Sequence, residues 1–143
     1  MDEFMKWYFA GLFDCGGGVY ATLTSRGETS TLLTLNGVST RRGSALFTEV
    51  GGGKLDGFRA IFTGRRASAV GRLLLSKVGR KRPELEVFLA LRESLEMRAL
   101  TERTDRVPPN LAYRAALVQN LKEVRKGIAA PITSFVEWTA SQG

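Results

Sequence analysis

The chain has 143 residues, a length that fits one domain with a buried core. It carries 21 Lys and Arg against 14 Asp and Glu, a net charge of +7, which favours a polyanionic partner such as nucleic acid; a basic surface kept for solubility is the alternative. The absence of histidine and the single cysteine, Cys15, exclude Ser-His-Asp and Cys-His catalysis, zinc sites that need imidazole, and an internal disulfide.

The start of the chain, Met-Asp-Glu, lacks the basic and apolar regions of a signal peptide. No apolar run reaches the ~18 residues that a membrane-spanning helix needs. With one cysteine in the chain, a reducing compartment is favoured. We therefore expect a cytoplasmic protein, or an organellar or nucleoid-associated one, that is not secreted and has no membrane partner.

The first predicted element is a helix over residues 3–14, with Asp2 as its N-cap and apolar residues on nearly all sides. Such a helix is buried on more than one face, either in the core of a monomer or partly against a second copy. Ala10 and Gly11 would let a partner helix approach closely, because neither projects a bulky side chain. Three glycines, residues 16–18, then end the helix and are expected to use positive φ for a sharp turn into a strand.

A first hairpin follows the glycines. Residues 18–25 and 29–36 alternate in polarity, and the Arg26-Gly27-Glu28 segment between them reads as the loop. Alternation of this kind predicts strands with one buried face and one free face. The free face is polar and rich in hydroxyl groups.

A second helix is predicted over about residues 41–50, with Ser39 or Thr40 as its cap and glycines 51–53 as its end. The second hairpin has its turn at Asp56-Gly57, which is a strong two-residue turn signal. Its outer face is expected to carry Arg59 and Ile61, and its inward residues are expected to be Phe58, Ala60 and Phe62.

Helices dominate the remainder of the chain. Thr63 is expected to cap a third helix that runs to about residue 77, and Pro83 fits the first turn of a fourth. Residues 101–108 read as a polar loop, and a fifth helix is predicted over about 110–126. Three apolar residues of the tail are expected to dock on the body of the protein: Ile132, Phe135 and Trp138.

The segment from Phe9 to Gly17, FAGLFDCGG, resembles the LAGLIDADG motif of the homing endonucleases. The element order over about residues 3–99 resembles the αββαββα core of that family, and about 100–143 resembles its C-terminal helical extension. Two shorter likenesses are the segment FTGRRA, which starts at Phe62, and the basic junction GRKRPE, which starts at Gly79. The resemblance implies a single α+β domain over 1–143, whose two hairpins form a DNA-binding saddle.

In this family the motif helix of each subunit delivers one acidic residue to a shared, metal-dependent DNA-cutting centre, and the position of that acid is Gly16 here. Glycine offers no side-chain oxygen as a ligand for Mg²⁺, so we expect no metal ligand and no cofactor in the chain as written, and weak or no cleavage. We would expect Mg²⁺ as a cofactor if an acid were restored at Gly16 or supplied by a partner. Lys81 matches the basic residue near the family's active centre. Asp14 is expected to serve the end of the helix, and the polar residue at the end of the second strand aligns with Gly37.

Because only one motif is present, the resemblance implies a homodimer, with an interface at Trp7, Ala10, Gly11 and Asp14. The outward residues of the hairpins are expected to contact double-stranded DNA at base edges and thymine methyl groups. They are Tyr20, Thr22, Thr24, Arg26, Ser30, Leu32, Thr34, Arg59 and Ile61. Arginines near the ends of elements are expected to hold phosphates. They are Arg41, Arg42, Arg65, Arg66, Arg80 and Arg82.

The sequence therefore predicts a sequence-specific DNA-binding protein of the homing endonuclease lineage, a group of intron-associated hydrolases. A non-catalytic transcriptional regulator, or an RNA-splicing helper that takes RNA as its partner, is the alternative on the same fold. A basic domain that never reads sequence is a third alternative.

Overall fold

The structure, a computed structural model, describes residues 1–98 and 108–142. Its elements are α1 (Glu3–Gly16), β1 (Gly18–Leu23), β2 (Thr29–Asn36), α2 (Thr40–Val50), β3 (Lys54–Asp56), β4 (Arg59–Thr63), α3 (Gly64–Leu75), α4 (Arg82–Arg98), α5 (Pro108–Arg125) and α6 (Phe135–Gln142). The strands form one sheet in the order β1-β2-β4-β3, and β2 and β4 are antiparallel where the two hairpins meet. The predicted α+β class and the αββαββα order, followed by further helices, are confirmed.

The chain divides by its internal packing into two compact units. The first consists of Met1–Tyr20 and Thr31–Arg82, and the second of Ala21–Ser30 together with the C-terminal part of the chain from Pro83 onward. The expectation of a single domain stays a prediction, and its core boundary at residues 99–100 lies outside the described residues. Among the helices that the structure describes, none is long and apolar enough to cross a bilayer.

Helix α1 begins as predicted at an Asp2 cap, whose Oδ1 accepts the Met5 N–H at 2.8 Å. In its first turn Glu3 receives the Lys77 ammonium at 2.7 Å and the Lys6 ammonium at 3.4 Å. The hydrogen bond and the positive charge of Lys77 are the main causes that hold the pKa of Glu3 below its usual range. This ion pair ties the start of α1 to the chain that follows α3.

The glycines that end α1 are used differently from the prediction, because none of the three has a positive φ. Gly17 is extended, with φ of −89°. What it needs is the absence of a side chain, since a Cβ there would overlap the Thr34 carbonyl oxygen and would lie 3.0 Å from the Phe13 Cα. The close approach of α1 to β2 therefore fixes glycine at this position.

The core of the first unit lies between three helices and one face of the sheet. Helix α3 packs against α1, α2 and β4. The ring of Phe47 in α2 meets Phe62 of β4 edge-on, with ring centroids 5.6 Å apart. The buried side chains of this core include Phe9, Phe13, Leu33, Leu35, Leu46, Ala60, Phe62, Ala67, Val70 and Leu74.

The turn of the second hairpin lies one residue further along than predicted. Asp56 pairs with Arg59, so Gly57 and Phe58 are the two turn residues, and Gly57 has a φ of +63°. The inward placement of Ala60 and Phe62 is confirmed. The inward placement of Phe58 is wrong: a turn residue lies outside the alternation of the strands, and Phe58 is 73% exposed.

The caps of α2 and α3 differ. Ser39 caps α2, with its hydroxyl accepting the Arg42 N–H at 3.3 Å, so the first of the two predicted caps is confirmed. Thr63 occupies the N-cap position of α3, but its side chain makes no capping hydrogen bond, and the predicted cap is wrong in this respect. Gly64, in the left-handed region with φ of +58°, makes the tight turn from β4 into the helix.

The second unit contains α4, α5 and α6. Pro83 lies in the first turn of α4, as predicted. Helix α5 begins at Pro108, which was expected in the preceding loop; the remainder of that loop, 101–107, lies outside the described residues.

The docked tail is confirmed by ring contacts within the second unit. Tyr113 of α5 lies 5.1 Å from Phe135 and 5.4 Å from Trp138, measured between ring centroids. The segment before α6 is held by Asn120 of α5. The Asn120 side-chain NH₂ donates to the Ala130 carbonyl at 3.0 Å, and its oxygen accepts the Ile132 N–H at 2.8 Å. One buried side chain thus satisfies two backbone groups of the tail.

Candidate nucleic-acid interface

The position of the missing acid lies at the junction of α1 and β1, here named the Gly16–Gly17 corner. The Asn36 side-chain amide, at the end of β2, donates to the Gly16 carbonyl oxygen. The Lys81 ammonium donates to the Gly17 carbonyl oxygen and lies 5.9 Å from the centroid of the Phe13 ring. A positive charge at the C-terminal end of α1 complements the helix dipole. The structure therefore brings Lys81 and Asn36 to Gly16 and Gly17.

Asp14, two residues before the corner, has both carboxylate oxygens engaged within the chain. Its Oδ2 accepts the Gly79 N–H at 2.8 Å, and its Oδ1 accepts the Lys81 N–H at 3.0 Å. These are charge-assisted hydrogen bonds, which are stronger than neutral ones. Asp14 therefore anchors the 79–81 segment and so positions Lys81.

The donor set at the corner does not fit a divalent cation. Mg²⁺ is bound through oxygen ligands that include carboxylates. Here the nearby carboxylate faces two N–H groups, the two corner carbonyls accept an amide and an ammonium, and Gly16 supplies no side chain. Within the described ranges, no cluster of three or more His, Cys, Asp or Glu is placed to hold a metal.

The outer face of the sheet in the first unit is arranged in cross-strand rows. Residues directly opposite each other in an antiparallel pair share a face. The first row joins Asn36, Arg59 and Asp56; the second joins Thr34, Ile61 and Lys54; the third joins Leu32 and Thr63. The first row adjoins the corner, because it contains Asn36.

Exposure along these rows differs between residues. Arg59, Asp56, Asn36 and Lys54 are exposed, as is Tyr20 of β1, whereas Leu32 and Ile61 are half-buried. The outward exposure expected of Thr34 is wrong, since Thr34 is only 3% exposed. It lies on a central strand opposite Ile61, so its neighbours on the same face cover it.

The distal part of the first hairpin belongs to the second unit. Thr22, Thr24, Arg26 and Ser30 are exposed there. The hairpin closes through a 2.8 Å bond from the Thr24 N–H to the Glu28 carbonyl, and Gly27, with φ of +82°, makes the turn. These four predicted contact residues lie where they can meet a ligand.

The predicted interface residues of α1 divide into two groups. Trp7 is 59% exposed, and Gly11 is exposed with nothing within 4 Å of the place a Cβ would occupy. Phe4, which is 67% exposed, continues this face one turn earlier. Ala10, in contrast, is 1% exposed and packs in the core of its own unit, and Asp14 is engaged as described above.

Sequence reasoning missed three residues of the rows. Asn36 was passed over because Gly37 was aligned with the polar position at the end of β2, whereas the structure places the Asn36 amide against Gly16. The alternation along β2 already placed Asn36 on the polar face. Lys54 and Asp56 were missed because the turn was set one residue too early, and pairing Asp56 with Arg59 would have revealed them.

The arginines expected at phosphates have different surroundings. The Arg42 guanidinium lies 4.3 Å from the centroid of the Tyr8 ring and donates to the Met5 sulfur at 3.6 Å. Arg41, Arg65, Arg66 and Arg80 are exposed and make no hydrogen bond or ion pair within the part of the chain that is described. Arg41 and Arg42 start α2, Arg65 and Arg66 start α3, and neither helix has an acid in its first turn.

A scan against protein-family models finds no match, and a search of curated proteins finds none either. Among solved structures, one match is the homing endonuclease I-CvuI in complex with an I-CreI target and 2 mM Mg, in which the DNA is not cleaved. The TM-score is 0.60 at 21% sequence identity, and the match covers 84% of this chain and 81% of that one. I-CvuI with its own target and 2 mM Ca matches with a TM-score of 0.55 and 18% identity, covering 90% and 97%. The resemblance inferred from the motif is thus confirmed at the level of architecture: the chain has the fold of the LAGLIDADG homing endonucleases.

Proposed function

We propose that the protein is a homodimeric, sequence-specific binder of double-stranded DNA that cleaves weakly or not at all. Support comes from the fold, which is that of DNA-bound homing endonucleases, and from the outer face of the sheet, which presents exposed polar and basic side chains. The observation that carries the proposal is the set of basic side chains around that fold whose charge is not used internally.

Some basic residues have structural partners and others have none in the described part of the chain. Lys6 and Lys77 bind Glu3, and Lys81 binds a backbone carbonyl. The exposed basic residues that make no hydrogen bond or ion pair in the described part of the chain lie mainly on the hairpins and at the starts of α2 and α3. They include Arg26, Arg41, Lys54, Arg59, Arg65, Arg66 and Arg80.

The helix starts strengthen this argument. Positive side chains are unfavourable near the N-terminus of a helix, where the dipole is also positive. Helices α2 and α3 both begin with paired arginines and no acid, an arrangement that a bound anion would stabilise. DNA phosphates are such anions, and contacts to them position the protein on the duplex.

The homodimer is proposed through the α1 face formed by Phe4, Trp7 and Gly11. Glycine inside a helix costs about 1 kcal/mol relative to alanine, and no neighbour in the described part of the chain requires it at position 11. We expect Gly11→Leu to leave the protomer folded but to block close helix approach, so that sedimentation shows a monomer at concentrations where the native chain is a dimer. Gly11→Ala is the milder control. An undisturbed Gly11→Leu dimer would contradict this interface.

The absence of an acid at Gly16 accounts for the weak or absent cleavage. The backbone there can carry a side chain, because φ is not positive and the three atoms nearest to a Cβ all belong to the Asn36 side chain, whose Cβ at 3.3 Å would have to move by a few tenths of an ångström. Gly16→Asp in both subunits would supply paired carboxylates, the ligands that Mg²⁺ requires. Mg²⁺-dependent cutting by this variant, with Gly16→Asn inert, would support an endonuclease lineage. Inertness of both would favour a regulator that only binds.

Selection from a random double-stranded DNA library, carried out in EDTA so that cleavage cannot interfere, tests the proposed function. The expected result is enrichment of one long site with two-fold pseudo-symmetry, since two copies of one chain present the same surface twice. Binding without enrichment, which merely weakens as salt rises, would contradict sequence reading and leave a non-specific basic domain.

A further inference from the structure

The cross-strand rows define a reading register for the second hairpin, and this inference rests on the proposed function. We propose that Arg59 reads a guanine next to the centre of the target, and that Ile61 contacts a thymine methyl two base pairs further out. Both residues belong to the first unit, on the outer face of β4.

The assignment of Arg59 follows from its neighbours. It lies between Asn36 on β2 and Asp56 on β3, and directly opposite residues in such pairs have Cβ atoms about 5 Å apart. Within the described chain the guanidinium makes no ion pair or hydrogen bond. The guanidinium is therefore available to a ligand. When DNA is bound, the neighbouring Asp56 carboxylate can orient it while its outer edge donates to guanine O6 and N7, the commonest specific contact in the major groove.

The chemistry of the next row is different. Ile61 lies between Thr34 and Lys54, and Ile61 and Thr34 are respectively half-buried and buried. This row presents little hydrogen-bonding capacity at its centre. A half-exposed aliphatic side chain on a groove-facing strand matches the C5 methyl group of thymine, the one apolar feature of the major groove.

The spacing comes from strand geometry. Two residues along a strand advance about 6.7 Å. Base pairs are stacked at about 3.4 Å, so a strand that lies along the groove moves its outward side chain by about two base pairs from one row to the next. The row with Arg59 adjoins the Gly16–Gly17 corner through Asn36. In the proposed homodimer the two corners face the centre of the target, so this row is the innermost row of each half-site.

The test uses the site selected in EDTA, with single atoms of the DNA removed in turn. Replacing the expected guanine by 7-deazaguanine removes N7, and replacing the expected thymine by uracil removes only the methyl group. Against native protein, the loss of the guanine contact should weaken binding about 5- to 100-fold, and the loss of the methyl group about fourfold. Arg59→Ala should no longer respond to 7-deazaguanine, and Ile61→Ala should no longer respond to uracil.

Two further variants separate base recognition from the general attraction of a positive side chain to DNA. Arg59→Lys keeps the charge but lacks the planar fork, so it should lose guanine preference nearly as fully as Arg59→Ala. Arg65→Ala should weaken binding to all sequences alike, because its role is a phosphate contact. A library with no enriched site would overturn the proposed function and this register together. An enriched site at which Arg59→Ala and Ile61→Ala relax no position, relax positions that are not two base pairs apart, or alter all positions equally would overturn the register alone.

Discussion

Replacing Asp14 by asparagine tests the anchor that positions the corner of the proposed DNA-binding site. In the native chain the two carboxylate oxygens accept the backbone N–H groups of Gly79 and Lys81 at 2.8 and 3.0 Å. An amide keeps one acceptor and turns an NH₂ group toward the second backbone N–H. One charged hydrogen bond is lost and the other becomes neutral, and each such bond contributes about 1.5–3 kcal/mol. Because Asp14 is half-buried, we expect the free energy of unfolding to fall by about 2 kcal/mol.

Urea unfolding followed by circular dichroism measures this loss as a change in midpoint at constant slope. The matched control is Asp56→Asn, which makes the same chemical change at an exposed carboxylate without a partner in the described chain. The control should change stability by less than about 0.5 kcal/mol. Equal effects of the two variants would refute the anchoring role. A large stabilisation of the native protein by Mg²⁺, lost in Asp14→Asn, would instead identify Asp14 as a metal ligand.

Two further predictions concern packing and pH. Gly17→Ala should destabilise the protein by about 3 kcal/mol, because the added Cβ overlaps the Thr34 carbonyl oxygen. The control, Gly16→Ala, should change stability by less than about 1 kcal/mol. Similar unfolding midpoints for the two variants would contradict the close approach of α1 to β2. Burial, and then the charges of Glu93 and Glu137, raise the pKa of Tyr113 to about 12. The tyrosine of the unfolded chain loses its proton near pH 10, so the free energy of unfolding should fall by up to about 1.4 kcal/mol per pH unit from pH 10 to 12. Tyr113→Phe should remove that slope. An unchanged slope in the variant would contradict the raised pKa.

The sequence predicted the order of elements because local signals agreed with the fold. The Asp2 cap, the alternation along the first hairpin and the Pro83 helix start each arise from neighbouring residues. The cap and the helix start are confirmed, and the alternation holds except at the buried Thr34. The motif resemblance supplied what periodicity could not, namely the fold and the importance of the end of α1.

The wrong predictions concern positions whose environment depends on the exact register of strand pairing or on a contact with a distant part of the chain. Turn propensity placed the second hairpin turn at Asp56-Gly57, but pairing of the strands moved it to Gly57-Phe58, which exposed Phe58 and aligned Asp56 with Arg59. The demand for glycine at position 17 depends on a β2 carbonyl far along the chain, so no local pattern could indicate it. The exposure of Thr34 depends likewise on the strands beside it.

We propose that the protein reads a DNA sequence without a divalent cation. The most direct measurement is the ratio of affinities for the selected site and for a scrambled duplex, made in EDTA at physiological salt. We expect a ratio of about 10³ or more, the lower end for specific DNA-binding proteins, with both affinities falling as salt rises. A ratio near one, or a preference that emerges only when Mg²⁺ is added, would contradict it.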